Sequence, residues 1–539
     1  MDVISMSDFD ETGIYSVLDA VDQVRKALHD HEYNRNVFQK KHNRPVEKLL
    51  EGILEATLFV ENSTRTNFSS RVAAMRTGAM VDGFSSIENT SLTKGETWAD
   101  TAAMFACYGF DVLVMRSTTE GLPRWTKEFV SNTNQQLKEQ YSKAGIPFNY
   151  RNPMIINGGD GRHQHPTQCF LDLRTMLDIG NIQNIPLRGL PIALLNDIAN
   201  SRVHSSIISV APTLGLELHF AAPGRFGPRE SQLEYLKAKG ATFYNHGDDW
   251  EKAMRSSTIA IHSRPQKERV GKGEDLSTIK EWGCMTAERF QKLANQVPYL
   301  LHPRPVDSAL FEEIHYSLRF HDADWSLFQA SNGPYTRMAL PAIGLDRMSI
   351  DYDFSTKKNT SLELSYLQLN VNNNSHAKAG LRSGHIEGDG IVIDHITAGR
   401  GRRLAGVLGF ERENVPKTIA DYLPVRDSTK DLIKLHCAYE LSSEQEEAIS
   451  LISPNSTINI IKSGRVVQKY RPIIGGRIVN RIDCSNDYCV TNIKEEHVTP
   501  QQKVIANGEN TILECHYCGT TDTTSKIFQE ERFRYIGKD

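Results

Sequence analysis

The chain has 539 residues, of which 39% are hydrophobic and 24% are charged, and its formal net charge is -4. This length predicts two to four domains, and the apolar content excludes a disordered chain. The charge gives no basic excess for binding nucleic acid, and no apolar run is long enough to predict a membrane helix. The N-terminal residues lack the pattern of an export signal, so we expect a cytoplasmic protein.

Apolar, strand-like runs alternate with helical patterns between about residue 50 and residue 350. Short, continuously apolar strands separated by helices are typical of parallel sheets covered on both faces. We therefore predict an α/β fold with two doubly wound parallel-sheet domains, whose ligands gather at the carboxyl ends of strands. The predicted strands are 55–60, 111–116, 154–158, 191–197, 216–223, 257–263 and 299–303, and a predicted helix over 165–180 closes at Gly180.

The stretch ENSTRTNF (61–68) joins the first predicted strand to a helix. A helix cap needs one hydroxyl, but here Ser63, Thr64 and Thr66 surround Arg65. A helix N-terminus attracts anions, and arginine can make bidentate contact with a phosphate group. The stretch therefore favours a phosphate site over simple capping.

Further polar side chains follow the predicted strands. His165 and Gln168 are three residues apart at a helix start, so both can face one ligand, although an ordinary helix start with an exposed glutamine is the alternative. Ser91 and Lys94 lie in a polar loop that matters only if it meets an anion. A substrate with several acidic groups would fit the set near strand ends: Arg116, Arg202, Arg264 and Gln266.

Four of the eight cysteines form two closely spaced pairs near the end of the chain. Four thiolates at this spacing suit a tetrahedral Zn²⁺ with no open position, so the predicted metal is structural. Reduced thiols and disulfides are the alternatives, and the pairwise spacing without an export signal argues against both. The predicted ligands are Cys484, Cys489, Cys515 and Cys518.

Composition changes after residue 350. An Asn- and Ser-rich stretch predicts a linker over 353–385, and a mixed α+β segment follows, in which KSG within 456–470 predicts a hairpin turn. The sequence has no phosphate-binding glycine loop of the nucleotide-binding type and no nucleophile elbow. We therefore expect an anion cradle that needs no cofactor for its chemistry.

Several motifs together resemble the catalytic chain of aspartate transcarbamoylase, from about residue 45 to 350. They are STRT (63–66), SLTKGET (91–97), VMR (114–116), GDGRHQHPTQ (159–168), SRVHS (201–205) and RPQKER (264–269). The segment from about 386 to 539, with IVIDHI, KDLIKL, QKYRP and the four cysteines in order, is similar to the regulatory chain of the same enzyme. The chain thus resembles a natural fusion of the two polypeptides.

The resemblance implies domain boundaries along the chain. They are 1–166 for a carbamoyl-phosphate domain completed by a helix at 331–352, 167–330 for an aspartate domain, 386–478 for an α+β allosteric-type domain, and 479–539 for a zinc domain.

The resemblance also implies an activity and a role for each matched residue. Carbamoyl phosphate would donate its carbamoyl group to the α-amine of L-aspartate, giving N-carbamoyl-L-aspartate and phosphate in de novo pyrimidine biosynthesis. The implied contacts to carbamoyl phosphate are Ser63, Thr64, Arg65, Thr66, Arg116, His165 and Gln168, with Ser91 and Lys94 from a neighbouring subunit. The implied contacts to aspartate are Arg202, Arg264, Gln266 and Lys94, and the implied catalytic set is Arg65, Thr66, Lys94, Arg116 and His165.

Two readings compete with this one. A transcarbamoylase with another amine acceptor, such as ornithine, would want an acidic or apolar second pocket, whereas Arg264, Gln266 and Lys267 favour a dicarboxylate. A zinc-dependent binding or regulatory protein is the rival from another class, but the acidic cysteine region is poorly suited to a phosphate backbone.

The chain departs from the family pattern at HPRPVD (302–307), where the family has His-Pro-Leu-Pro-Arg. Arg304 takes the leucine position and Val306 the arginine position, so Arg304 is a hypothetical replacement for the lost cation. An additional segment near 131–153 has no assigned role.

The resemblance also implies a nucleotide site in the regulatory part. Asp394, His395, Lys434 and Lys469 match nucleotide-contacting positions of the family, which implies CTP, UTP or ATP as effectors. Asp389 and the absence of nearby basic residues predict weakened triphosphate binding. The resemblance further implies a homo-oligomer, either a trimer or a dimer of trimers, with no nucleic-acid or membrane partner.

Overall fold

The computed structural model describes residues 1–88, 90–266, 282–293, 298–307, 312–354, 364–371, 386–411, 413–425, 428–506 and 511–536. The chain forms two compact units. The first comprises residues 1–357 and 488–496, and the second comprises 358–487 and 497–539. Among the described residues, no helix combines the length and the apolarity that crossing a bilayer requires.

The first unit contains two sheets in which every strand pair is parallel. The strands are β1 (Leu54–Phe59), β2 (Met80–Phe84), β3 (Val112–Ser117), β4 (Met154–Asp160), β5 (Pro191–Asn196), β6 (Glu217–Ala221), β7 (Phe243–Asn245), β8 (Ile259–Ser263) and β9 (Tyr299–Leu301). Their orders are β2-β1-β3-β4 and β7-β6-β5-β8-β9. The two parallel sheets confirm the predicted α/β class for this part of the chain.

The sequence prediction missed β2 and β7. Both lie at a sheet edge and expose much of their length. An exposed edge strand does not need the continuous apolar run that identifies a central parallel strand, so its sequence carries a weak signal.

Helices of six or more residues are numbered here in chain order. They are α1 (Glu11–His29), α2 (Thr64–Arg76), α3 (Trp98–Cys107), α4 (Leu122–Lys143), α5 (Pro166–Gln183), α6 (Arg202–Leu214), α7 (Glu230–Ala238), α8 (Trp250–Arg255), α9 (Ala287–Lys292), α10 (Ser326–Gly344), α11 (Gly401–Val407), α12 (Ser443–Ile452) and α13 (Thr524–Gln529). The predicted segment at 131–153 is mostly the second half of α4.

The end predicted for α5 at Gly180 is wrong. The helix continues to Gln183 and ends at Asn184, whose φ of 56° is left-handed. Gly180 serves another purpose, because a Cβ atom there would lie 2.5 Å from the carbonyl oxygen of Ile185. The glycine therefore permits the chain to fold back closely after the helix rather than ending it.

A large apolar core in the first unit joins β1, β3 and β4 to α1, α5 and α10 and continues under the second sheet. A smaller core covers the other face of that second sheet. Helix α10 packs on α5, α1 and α2, in line with the predicted helix near 331–352 that completes the first domain, although it begins earlier, at Ser326. The predicted domain boundaries within 1–352 stay predictions.

The second unit holds two further sheets, of order β10-β15-β14-β11-β13-β12 and β16-β17-β18-β19. Their strands are β10 (Ser365–Gln368), β11 (Gly390–Thr397), β12 (Lys417–Val425), β13 (Ser428–Leu435), β14 (Thr457–Lys462), β15 (Arg465–Ile473), β16 (Arg477–Val479), β17 (Gln501–Ala506), β18 (Ile512–Cys515) and β19 (Thr521–Thr523). Ser463 and Gly464, with φ of 47° and 74°, join β14 to β15, which confirms the predicted hairpin turn.

Strand β10 lies inside the predicted linker 353–385, so the linker prediction is wrong for these four residues. The strand pairs antiparallel with the edge strand β15. The hydroxyls of Tyr366 and Tyr470 both donate to Glu446, at 2.7 and 2.5 Å. This shared carboxylate fixes β10 to the sheet through side chains as well as backbone.

Candidate functional site

A cleft of about 770 Å³ opens in the first unit at the carboxyl ends of the parallel strands. Most of its lining residues follow β1, β3, β8 and β9 or lie in the first turns of α2, α5 and α6, and α10 supplies others. Parallel strands end at one edge of a sheet, which is why residues distant in sequence meet there. The cleft collects these predicted residues: Ser63, Thr64, Arg65, Thr66, Arg116, His165, Gln168, Arg202, Arg264 and Gln266.

Helix α2 opens onto this cleft without a side-chain cap. Ser63 is its N-cap residue, in extended backbone with φ of -154°, yet its side chain makes no capping hydrogen bond. By contrast, Asp10 caps α1 by accepting from the N–H of Gly13 at 2.8 Å. The N–H groups at the start of α2 are therefore directed at the cleft, where an anion can accept from them.

The cleft concentrates arginines. Arg65 donates to the carbonyl oxygen of Arg304, and burial together with Arg264 and Arg304 lowers the pKa of Arg65 to about 10. Burial and the neighbouring Arg202 lower the pKa of Arg116 to about 9. Guanidinium groups held this close are stabilised when a polyanion enters, so the charge arrangement favours an anionic ligand.

Glu61 is a site residue that the sequence reasoning missed. Its carboxylate accepts from Arg116 at 2.9 Å and from Arg202 at 2.5 and 2.6 Å. Glu61 follows β1 in the first sheet, whereas Arg202 begins α6 beside the second sheet, so the ion pairs link the two sides of the cleft. The available signal was an acidic residue two positions before STRT, among site residues that are otherwise cationic or neutral.

Gly159 makes room for the same two arginines. A Cβ atom at this position would lie 2.7 Å from Nη1 of Arg202 and 2.9 Å from Nη1 of Arg116. Its φ of 116° is also unfavourable for any residue with a side chain. The glycine of GDGRHQHPTQ is therefore required by the packing of the guanidinium groups.

His165 lies at the start of α5, fully buried, and its two ring nitrogens have different partners. Nε2 is 3.3 Å from Oγ1 of Thr66 and Nδ1 is 3.3 Å from Oγ1 of Thr167. Burial, followed by the charges of Arg116, Arg337 and Arg202, holds its pKa well below the usual value of 6.5. The imidazole is therefore neutral, with one nitrogen that donates and one that accepts.

Gln168 is fixed by a buried acid that the sequence did not indicate. Its amide donates to Oδ1 of Asp172 at 2.9 Å, and Gln329 on α10 donates to the same oxygen at 2.6 Å. Burial raises the pKa of Asp172 to about 7. Helix α10 also brings Arg337 to the cleft, another residue absent from the prediction.

Arg264 and Gln266 lie just after β8, on the side of the cleft formed by the second sheet. The N–H of Gln266 donates to Oδ2 of Asp197 at 2.8 Å, and its amide donates to the carbonyl oxygen of Arg264 at 2.9 Å. These bonds hold the turn that presents both side chains. Residues 267–269 of RPQKER, including Lys267, lie outside the described residues.

Arg304 has its guanidinium group engaged with α10 and the residues before it. Nη2 donates to Oγ of Ser326 at 2.7 Å and lies 3.6 Å from a carboxylate oxygen of Asp324. The residue still lines the cleft, its φ of 46° is left-handed, and its carbonyl oxygen accepts from Arg65. Its service as a replacement cation stays a hypothesis.

Ser91 and Lys94 form a short 3₁₀ helix, and both are exposed. They are not among the described residues that line the cleft of their own chain. Their predicted contribution to a neighbouring subunit stays a prediction.

The four predicted cysteine ligands lie together and are all buried, with every Sγ atom within 4.8 Å of the others. The Sγ atoms of Cys484 and Cys518 are 3.6 Å apart. A tetrahedral zinc site with Zn–S bonds of about 2.3 Å has sulfurs about 3.8 Å apart, so the cluster fits a metal held by four thiolates. Such a site has no open position for a substrate.

In the second unit, the two predicted nucleotide-contacting lysines lie on one face of the six-stranded sheet. Lys434 of β13 is opposite Val392, Val392 is opposite Asn459, and Asn459 is opposite Lys469 of β15. Directly opposed residues point to the same face, so this row forms a basic surface. Asp394, two residues after Val392 on β11, is next to the row, and its carboxylate pairs with Lys430 at 2.6 Å.

His395 and Asp389 occupy special positions near this surface. His395 follows Asp394 with a left-handed φ of 59°, and burial is the first cause that lowers its pKa. Asp389, which was expected to weaken triphosphate binding, accepts from the N–H of Ser463 in the hairpin turn at 2.9 Å. Its carboxylate therefore has a local structural role as well.

Three family models match the chain. The "Aspartate/ornithine carbamoyltransferase, carbamoyl-P binding domain" matches residues 1–178. The "Aspartate carbamoyltransferase regulatory chain, allosteric domain" matches residues 385–472, and the metal binding domain of that regulatory chain matches residues 476–528.

Curated relatives and a solved structure agree with these matches. "Protein PyrBI" of Treponema denticola is 26% identical over 507 residues, covering 89% of this chain and 90% of the relative. The "Aspartate carbamoyltransferase catalytic subunit" of Bacteroides fragilis is 33% identical over 304 residues, covering 56% of this chain and 87% of the relative. The solved catalytic subunit of M. jannaschii aspartate transcarbamoylase is 26% identical with a TM-score of 0.51, covering 64% of this chain and 98% of that one.

Proposed function

The chain belongs to the aspartate carbamoyltransferase family, with catalytic and regulatory parts fused in one polypeptide, and from this premise we propose how its cleft works. The enzyme transfers the carbamoyl group of carbamoyl phosphate to the α-amine of L-aspartate, a step of pyrimidine biosynthesis. The observation that carries the proposal is the uncapped start of α2, which lies beside the neutral His165 and several arginines of the cleft, among them Arg65 and Arg116. The helix start and the arginines favour a phosphate group over an uncharged ligand, and the neutral imidazole can donate to a carbonyl oxygen.

In this proposal, carbamoyl phosphate places its phosphate at the start of α2. Ser63, Thr64 and Thr66 supply N–H groups and hydroxyls, and Arg65 supplies the charge that stabilises the departing phosphate. Arg116 completes the cradle from the end of β3.

The carbamoyl oxygen would then face His165, with Gln168 beside it. Attack of the amine on the carbamoyl carbon places negative charge on this oxygen, and preorganised donors lower the free energy of that state. Holding two anions together in one cleft removes a further part of the entropic barrier. The reaction needs oriented hydrogen-bond donors and cations, and the cleft residues supply both.

Aspartate would bind across the cleft with its two carboxylates on Arg202, Arg264 and Gln266. A dicarboxylate matches this cationic side, whereas the cation of ornithine would be repelled by it. Glu61 would hold Arg202 in place for this task.

We propose a homotrimer in which Ser91 and Lys94 complete a neighbouring active site. A structural observation supports contact between copies: apolar side chains stand exposed along α2 and at α3, namely Phe68, Met75, Met104 and Tyr108. Large apolar side chains that stand exposed on neighbouring helices can be covered by another copy of the chain, which is the support for this proposal.

The fused regulatory part is proposed to hold one structural Zn²⁺ and to bind CTP, UTP or ATP on the basic surface around Lys434 and Lys469. The four-thiolate cluster supports the metal, and the row of lysines supports a polyphosphate. The proposed location is the cytoplasm, where the pathway operates.

A steady-state assay tests the proposed reaction. Purified full-length protein is given carbamoyl phosphate with either L-aspartate or L-ornithine, and formation of the carbamoylated amino acid is measured. We expect turnover with aspartate and little with ornithine, and no turnover with aspartate would overturn the proposal. In the same assay, Arg65→Ala should lower turnover. Arg76→Ala is its matched control, because Arg76 is an exposed arginine at the far end of α2.

Calorimetric titration tests the effector site. CTP, UTP and ATP are each titrated into the full-length protein, and Lys469→Ala is compared with the wild type. Binding that Lys469→Ala weakens supports the proposal. No binding of any of the three at millimolar concentration removes it.

A further inference from the structure

The hydroxyl of Thr167 lies between a guanidinium group and the catalytic imidazole. Nη2 of Arg337, on α10, donates to Oγ1 of Thr167 at 3.2 Å. The same Oγ1 is 3.3 Å from Nδ1 of His165. All three residues are buried, so solvent does not compete for these groups.

The direction of each hydrogen bond follows from counting protons. A guanidinium group only donates, so the bond from Arg337 occupies a lone pair of the Thr167 oxygen. Within the described part of the chain, the remaining partner of this hydroxyl is Nδ1 of His165. Accepting from Nδ1 as well would leave the Thr167 hydrogen with no acceptor among the described residues, whereas donating to Nδ1 pairs it. We therefore assign the hydrogen of Thr167 to this bond, with Nδ1 as the acceptor.

A neutral imidazole has one proton to place on its two nitrogens. If Nδ1 accepts from Thr167, the proton is on Nε2, which faces Oγ1 of Thr66 and the cleft at 3.3 Å. The backbone N–H of His165 donates to Oγ of Ser206 at 2.8 Å, which fixes the main chain that carries the ring. The ring therefore presents an N–H donor to whatever ligand displaces the Thr66 contact.

We propose that Arg337, acting through Thr167, is a positioning residue that fixes His165 as the Nε2–H tautomer. His165 then serves as a hydrogen-bond donor to developing negative charge, and it does not accept the proton of the attacking amine. The role in turnover rests on the proposed function, whereas the tautomer itself does not. The proton that leaves the amine goes to an oxygen of the departing phosphate, which the reaction itself supplies as an acceptor.

Arg337 could instead contact a ligand directly, since it also lines the cleft. The two roles predict different effects. Loss of a direct contact raises the KM for carbamoyl phosphate, and Thr167→Val would leave that contact in place. Loss of tautomer control lowers kcat, and Thr167→Val produces it as fully as a change at Arg337.

The test is NMR of full-length protein with ¹⁵N-labelled histidine, in which the His165 resonances are assigned by their absence in His165→Asn. We expect Nδ1 of wild-type His165 to be unprotonated and Nε2 to be protonated. Thr167→Val should produce a mixture of tautomers and lower kcat about tenfold, while the KM for carbamoyl phosphate changes less than twofold. Thr167→Ser, which keeps the hydroxyl, should restore both.

Thr175→Val is the matched control, because Thr175 is another buried threonine of α5 whose hydroxyl donates to the carbonyl oxygen of Leu171. It should leave tautomer and kcat unchanged. If Thr167→Val does not fold, Arg337→Met, which removes the donor to the Thr167 oxygen, provides the same tautomer readout. A protonated Nδ1 in the wild type overturns the inference, and so does an unchanged tautomer in Thr167→Val. Either result concerns only the tautomer of His165. The carbamoyl-transfer assay therefore still tests the proposed function independently.

Discussion

Replacing Glu61 by glutamine tests whether the two sides of the cleft are linked as the structure indicates. The substitution keeps the size of the side chain and one carbonyl acceptor, but it removes the charge that Arg116 and Arg202 share. Arg202 then loses the partner that contacts it at both carboxylate oxygens. We expect Arg202 to adopt other rotamers and to bind the carboxylates of aspartate less well.

The magnitude follows from the bonds that are lost. A hydrogen bond to a charged group contributes about 1.5–3 kcal/mol, and Arg202 keeps at most one neutral bond to the new amide. A loss of this size corresponds to about a ten- to hundredfold lower kcat/KM for aspartate, since about 1.4 kcal/mol is a factor of ten. Affinity for carbamoyl phosphate should not fall, because the charge removed from its anion site is negative.

The assay is steady-state kinetics with each substrate varied in turn, with thermal unfolding as the check on folding. Glu51→Gln is the control, because Glu51 is exposed and its pair with Lys48 is 3.6 Å long. If a folded Glu61→Gln enzyme keeps its kcat/KM for aspartate within twofold of the wild type, the link through Glu61 has no catalytic value. A selective loss of carbamoyl phosphate affinity would also contradict the reasoning.

Three further predictions concern other parts of the chain. Arg65→Ala should lower kcat by about 10²–10³ with an unchanged unfolding temperature, and a smaller loss in the steady-state assay would argue against its contact with the departing phosphate. Burial raises the pKa of Glu55 from 4.5 to about 8, so the free energy of unfolding falls as pH rises from 4.5 to 8. Glu55→Gln removes this ionisation and should raise Tm above pH 8 but not near pH 4.5. Cys515→Ser should abolish the stoichiometric zinc measured by atomic absorption and lower Tm, whereas Cys437→Ser, outside the cluster, should do neither.

The sequence predicted the site residues whose type and position along the chain both indicate a chemical role. Arg65 among hydroxyls before a helix indicated an anion, and the structure leaves the start of α2 uncapped in the same place. The seven predicted strands were recognisable because they are largely buried, and burial on both faces demands continuous apolar runs. The paired cysteines indicated a metal because thiolates at that spacing have few other uses.

The residues that the sequence did not reveal act through tertiary contacts. Glu61, Asp172 and Arg337 are ordinary charged residues in the sequence, and their importance arises only when β1, α5 and α10 meet. Gly180 was misread because a glycine near a helix end usually stops it, while the close approach of Ile185 is a contact made after the turn. Local patterns cannot encode such contacts, since they depend on how distant elements pack.

The tyrosine pair on Glu446 sets a practical limit on where the regulatory part begins. The family match starts at residue 385, yet the sheet it describes has a further strand at Ser365–Gln368. A fragment cut at 385 would uncover the edge of β15 where β10 pairs with it, from Tyr470 to Ile473, and bare strand edges recruit other chains. Recombinant production of this part as a stable, monodisperse sample should therefore start upstream of Ser365.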